Sequence, residues 1–241
     1  MTEWMETHPT VDVGLAEYQR LLGYPRGHEM DKRPRELAES ALAWYAEHGR
    51  PWAYARHVRA AAADGDAVDI EGVRFQSDAL RRRFEKTAAN GAVMAAISAG
   101  PELEHEAQRL WQDERPDEYY FLEVLGSAVV ERLTAMTGQR LRAWAEGLGA
   151  TVVPHYSPGY PGWDISDQSR LLALLRDAAG NVEFPGALEA LESGALRPKK
   201  SLLAVFGLTR HGGGVRPLTD VLSCEGCSMP SCQYRRKAYR P

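Results

Sequence analysis

Between Asp117 and about Leu148 the sequence reads DEYYFLEVLGSAVVERLTAMTGQRLRAWAEGL, the longest helical pattern in the chain. Arg115-Pro116-Asp117 sets its start, because proline breaks a preceding helix and is tolerated in a first turn. Gly126, Ser127 and Ala128 fall at its middle, where their small size lets another element or a ligand approach closely, and this marks the run as a central helix. Packing is the commoner reason for such a gap, and the sequence leaves the choice open.

The remaining pattern mixes helices and strands without regular alternation. Residues 10–24 carry apolar positions at helical spacing and stop at Gly23, and a second stripe runs from Arg33 to about His48 before Gly49-Arg50-Pro51. From Tyr54 to Phe75 the runs are short and β-like, with VDIEGVRF alternating about a Glu71-Gly72 turn as a hairpin does. A polar helix follows over 77–88. The apolar run AVMAAISAG after Asn90-Gly91 is read as a strand, although periodicity alone also admits a short helix. Pro101 opens another helix with acidic residues in its first turn. After the long helix come a strand TVVPHY, a helix ISDQSRLLALLRDA capped by Asp164 or Ser166, and two strand-like pieces, ALEALESGALRP and SLLAVFGLTR. The expected fold class is α+β. Residues 1–215 are expected to form one such domain, followed by a Cys-rich basic tail over 216–241.

Composition narrows the function. With 44% hydrophobic and 26% charged residues the chain is an ordinary globular protein. A formal charge of -4 gives no electrostatic case for nucleic acid or an anionic membrane. No stretch approaches the roughly 18 apolar residues of a spanning helix, and the N-terminus lacks the regions of a signal peptide, so the expected location is cytoplasmic. Phosphate-binding loops, the dinucleotide fingerprint, the serine-hydrolase elbow and the zinc-protease motif are all missing.

The stretch SPGYPGW (157–163) puts two prolines, two glycines and two aromatics in seven residues directly before a helix. Prolines fix φ and lack an N–H, while glycines admit positive φ and close approach, so the loop is a stiff backbone surface. Tyr160 and Trp163 could stack on an adenine or contact a sulfonium cation. The plainer alternative is a tight strand-to-helix turn with both aromatics in the core.

HYSPGYPGWDISDQSRLLALL resembles the R-x-x-x-G-Y-P loop and following helix of the activation domain of cobalamin-dependent methionine synthase. ALESGALRPKKSLLAVFG (190–207) is similar to that domain's L-T-E-S-x-x-x-x-P-x-x-S-V-S-G segment, and SAVVERL (127–133) resembles its D-A-L-A-E-A-F stretch on a long helix. The three segments keep their order over residues 117–207, whereas the first hundred residues match only loosely. The resemblance implies a twisted antiparallel sheet with flanking helices that binds S-adenosylmethionine (AdoMet). It also implies a role in methionine biosynthesis: supplying the methyl group that restores cobalamin after oxidation to cob(II)alamin, with an electron from a reductase or flavoprotein. No cobalamin-binding D-x-H-x-x-G occurs, so the corrinoid would sit on a separate partner, such as the methionine synthase core.

Carried over residue by residue, Gly159, Tyr160 and Pro161 match the family's G-Y-P, and the backbone from His155 through Ser157 to Pro161 would hold AdoMet. His155 stands where the family has arginine and offers fewer donors. Glu131 matches the family's helix glutamate, while Ser127 replaces its aspartate. Glu192 and Ser193 match its E-S pair and Ser201 a later serine, with turn and cross-strand hydrogen bonds as their other reading.

The tail CEGCSMPSCQYRR lies outside that resemblance. Cys224, Cys227 and Cys232 form C-x2-C-x4-C, a spacing able to hold zinc or an iron-sulfur cluster, with a fourth ligand from His211, a substrate or another subunit. Three cysteines within nine residues make a poor disulfide framework and suit a reducing compartment. A rival function is therefore a metal-binding redox or interaction protein using these thiols, with a degenerate AdoMet pocket.

Overall fold

The computed structural model describes residues 3–25, 27–58, 60–177 and 182–210. In chain order the elements are β1 (Glu3–Thr7), α1 (Leu15–Leu21), α2 (Lys32–His48), β2 (Trp52–Val58), β3 (Ala61–Asp64), β4 (Ala67–Ile70), β5 (Val73–Phe75) and α3 (Asp78–Thr87). They continue with β6 (Gly91–Ser98), α4 (Pro101–Gln112), α5 (Pro116–Glu146), β7 (Thr151–Val152), α6 (Asp167–Asp177), β8 (Glu189–Ala190), β9 (Leu196–Arg197) and β10 (Ser201–Thr209).

Five strands build an antiparallel sheet in the order β1-β2-β6-β10-β7. The class is α+β, as the mixed pattern implied. One face packs against α1, α2, α4 and α5; the other packs against the small sheet β3-β4-β5, α3, α6 and the segment 184–196. Because both faces are covered, β6 is buried at every position rather than alternating. Val93, Ala95 and Ile97 face the α5 side, and Ala92, Met94 and Ala96 face the other. Its many alanines let the two outer layers come close, and pairing with β2 and β10 settles the strand-or-helix choice that periodicity leaves open.

The long helix is where the sequence places it. Phe121, Leu122, Leu125, Val129, Leu133 and Leu141 of α5 are buried against the sheet and its neighbouring helices. The small-residue gap is filled by packing. A Cβ on Gly126 would fall 2.9 Å from Leu103 of α4 and 2.8 Å from the Lys200 side chain. Lys200 Nζ donates to Ser127 Oγ at 3.0 Å, and Lys199 and Lys200 both pair with Glu123, at 2.6 and 3.3 Å.

Three elements differ from the expected pattern. The first helix is confined to Leu15–Leu21, because Gly14 is extended and Val13 reaches the core from the chain before it. The N-terminal strand β1 carries little sequence signal, since Trp4 is its one buried residue. TVVPHY pairs as a strand only at Thr151–Val152 and through a bridge at Tyr156, being interrupted at Pro154. Among the described residues no helix is long and apolar enough to cross a membrane.

Candidate functional site

The site begins with that interruption. Val153 N–H donates to Gly207 O (2.7 Å), and Tyr156 N–H donates to Val205 O (2.9 Å), with Val205 N–H returning to Tyr156 O (2.8 Å). Three steps on this side span two on β10, a bulge centred on Pro154, which has no N–H for the ladder. The extra residue reverses the alternation of faces. His155 therefore lies beside Phe206, ring centroids 5.5 Å apart, while Tyr156 enters the opposite core.

The loop from Ser157 to Trp163 closes on itself. Gly159 N–H donates to Trp163 O (2.9 Å), Trp163 N–H to Tyr160 O (2.9 Å) and Tyr160 N–H to Ser157 O (3.1 Å), and the Tyr156 hydroxyl donates to Pro161 O. Gly159 and Gly162 have φ of 91° and 82°, where a side chain is strained, so the winding depends on them. The aromatics divide. Trp163 is 3% exposed, stacks on Tyr156 at 6.3 Å, meets Phe75 edge-on and donates from Nε1 to Asp167 Oδ2 at 2.9 Å. It is a core anchor rather than a stacking face. Tyr160 is half-buried, its ring perpendicular to Tyr156 at 5.4 Å and 3.4 Å from His155 Nε2 through its hydroxyl. Asp164 Oδ1 accepts from Ser166 N–H and starts the turn into α6.

Charge at the site comes from three directions. Arg83 of α3 lies over the Tyr156 ring, 4.5 Å from its centroid, and its half-buried guanidinium makes no hydrogen bond or ion pair with another described residue. Burial, and then the Arg83 charge, push the His155 pKa down to about 4, so the imidazole is neutral near pH 7. Burial raises the Tyr160 phenol above its usual range, followed by the negative charge of Glu131 on α5. Glu131 itself pairs with Arg20 of α1 at 2.9 Å. The Ser157 hydroxyl is fully buried and, among the described residues, without a partner in hydrogen-bonding geometry, yet close enough to the Tyr160 hydroxyl to favour its ionised form slightly.

His155, Ser157, Gly159, Tyr160 and Pro161 thus lie together at the edge of the sheet, Ser157 fully buried and the others at least partly exposed, with the charge of Glu131 felt at Tyr160. Glu192 and Ser193 sit at the exposed tip of the β8–β9 hairpin. The Ser193 hydroxyl accepts from Ala195 N–H at 3.3 Å, the turn role foreseen as its other reading. A Cβ on the adjacent Gly194 would lie 2.7 Å from Ile165 O, and one on Gly159 3.5 Å from Ile165 Cγ1, so Ile165 stands between hairpin and loop. Arg83 was not singled out by the sequence, where it reads as one of three consecutive arginines on a polar helix. Cys224, Cys227, Cys232 and His211 lie outside the described residues. Among those described, no cluster of three or more His, Cys, Asp or Glu side chains could hold a metal ion.

The neutral histidine has a measurable consequence. The unfolded chain takes up a proton near pH 6.5 and the folded site does not until about pH 4, so stability falls as pH drops through that window. The expected loss is about 3 kcal/mol. His155→Gln should flatten the pH dependence of the unfolding free energy between pH 6.5 and 4; an unchanged slope would contradict the assignment.

No protein-family model matches the sequence, and no curated protein matches it. Among solved structures, the crystal structure of the MetH reactivation domain bound to AdoHcy is similar, with a TM-score of 0.63 and 14% sequence identity, covering 89% of this chain and 79% of that one. The curled antiparallel sheet with its helices has the fold of that domain.

Proposed function

We propose that this chain holds AdoMet on the His155–Pro161 surface, with Tyr160 against the ligand, and serves the reductive methylation of a corrinoid carried by a separate cobalamin-dependent methyltransferase. The methionine synthase core is the partner with which the reading is most consistent. The observation that carries it is the gathering of Tyr160, His155 and the Glu131 helix at one edge of a sheet whose fold is shared with a domain solved bound to AdoHcy.

The residues fit such a ligand. A half-buried aromatic ring offers a face to the adenosyl portion. A carboxylate one helix away offers negative charge to the ammonium and sulfonium, shared with Arg20. The buried Ser157 hydroxyl and the Arg83 guanidinium are polar groups that the described protein leaves available. The ligand supplies an activated methyl group on sulfur; the chain's own contribution is placement, which is where most of the rate advantage of such a domain would lie. One electron from a reductase or flavoprotein and one methyl cation convert cob(II)alamin to methylcobalamin, leaving AdoHcy.

The test combines the chain with a cob(II)alamin-loaded methyltransferase, a reductant and AdoMet labelled in its methyl group. Label on cobalt that requires this chain supports the reading. Equal labelling without it would overturn the reactivation role.

A further inference from the structure

We propose that Arg83 is the residue that receives the carboxylate of the ligand's amino-acid end, which makes α3 part of the binding site; this rests on the AdoMet reading above. The placement argues for it. α3 is capped by Ser77, whose Oγ accepts from Leu80 N–H at 3.2 Å, and is tied to the sheet where Thr209 Oγ1 donates to Thr87 O at 2.8 Å. Two of its arginines then point in different directions. Arg81 pairs with Glu85 at 2.6 Å and Asp78 at 3.5 Å along the helix surface, as solvated arginines do. Arg83, two positions on, is turned toward the loop and rests on the Tyr156 ring without an acidic partner among the described residues.

A partly buried guanidinium carries a desolvation cost that a ring face offsets only in part. An anion completes it, and a planar carboxylate matches its fork of donors best. Among the described residues, the rest of the site does not supply that cation. His155 is neutral near pH 7, and Arg20 is engaged by Glu131 and Glu17, at 2.9 and 2.7 Å. The buried Ser157 hydroxyl, for which no described residue stands in good hydrogen-bonding geometry, is a second polar group that a ligand could satisfy at this place.

Two ligands isolate the contact. AdoMet and its decarboxylated analogue share the adenosine, the sulfonium and the amine and differ only in the carboxylate. Arg83→Met is expected to weaken AdoMet binding about 10- to 100-fold, the worth of a charged hydrogen-bonded pair, while changing the analogue's affinity less than about twofold. Arg83→Lys, which keeps the charge over Tyr156 but loses the fork, should fall between. If Arg83→Met melts early, Arg83→Lys decides by the same ligand comparison. Equal weakening of both ligands would assign Arg83 a structural role, and unchanged AdoMet affinity would remove it from the site; either overturns the proposal while leaving the AdoMet reading intact. A wild-type protein that binds neither ligand overturns both.

Discussion

Replacing Trp163 with alanine should lower the unfolding free energy by about 3–5 kcal/mol and abolish ligand binding, although Trp163 faces the core. The side chain fills the space between Tyr156 and Phe75, and its indole N–H is satisfied by Asp167, so truncation leaves both a cavity and an unpaired buried carboxylate oxygen. The backbone of the same residue closes the loop through Gly159 and Tyr160. A drop in melting temperature of about 10 °C or more is expected by thermal unfolding. Trp163→Phe keeps most of the packing and loses the Asp167 bond; it should retain the fold at a cost of about 1–2 kcal/mol. Trp163→Ala as stable as the wild type would show that the loop is held by something other than this anchor.

The second large effect lies at Arg56 in the middle of β2. Its side chain is 7% exposed, bonds Glu71 at 2.7 Å and donates to Leu174 O of α6 at 3.3 Å, so one guanidinium joins the central sheet, the β4–β5 turn and α6. Glu71→Ala strips the charge partner from a buried cation. The expected cost is about 2–3 kcal/mol, below the usual range for such a pair because Glu71 is 28% exposed. Removing both charges in Arg56→Met/Glu71→Ala should return stability to within about 1 kcal/mol of the wild type, since no buried charge is then left unpaired. Denaturant titration of the single and double variants measures this coupling; a double variant as unstable as the single one would contradict it.

Much of this architecture is legible in the residues. α5, α2, α3 and the hairpin at Glu71-Gly72 follow from periodicity and turn chemistry, whereas β6 is legible only as an apolar run, because a strand buried on both faces has no alternation to tell it from a short helix. The bulge at Pro154 has a sequence signal too, a proline inside a strand. What it does to His155 has none, since the reversed alternation matters only once β10 lies alongside. The Ser157–Trp163 loop was legible as stiff, but its two aromatics look alike in sequence, and only the core distinguishes Trp163 as anchor from the half-buried Tyr160. Ser127 stands where the resembled family has an aspartate, and Lys200, distant in sequence, donates to its hydroxyl. Arg83 was hidden for a related reason: successive helical residues point about 100° apart, so which of three arginines meets the loop depends on how α3 docks.

Calorimetric titration of the purified chain with AdoMet tests the central claim most directly, with Tyr160→Ala as its partner measurement. The account predicts saturable binding at one site per chain and a loss of about tenfold or more in Tyr160→Ala, the worth of one stacked aromatic face. Absence of AdoMet binding by the folded wild-type chain, or an unchanged affinity in Tyr160→Ala, would contradict it.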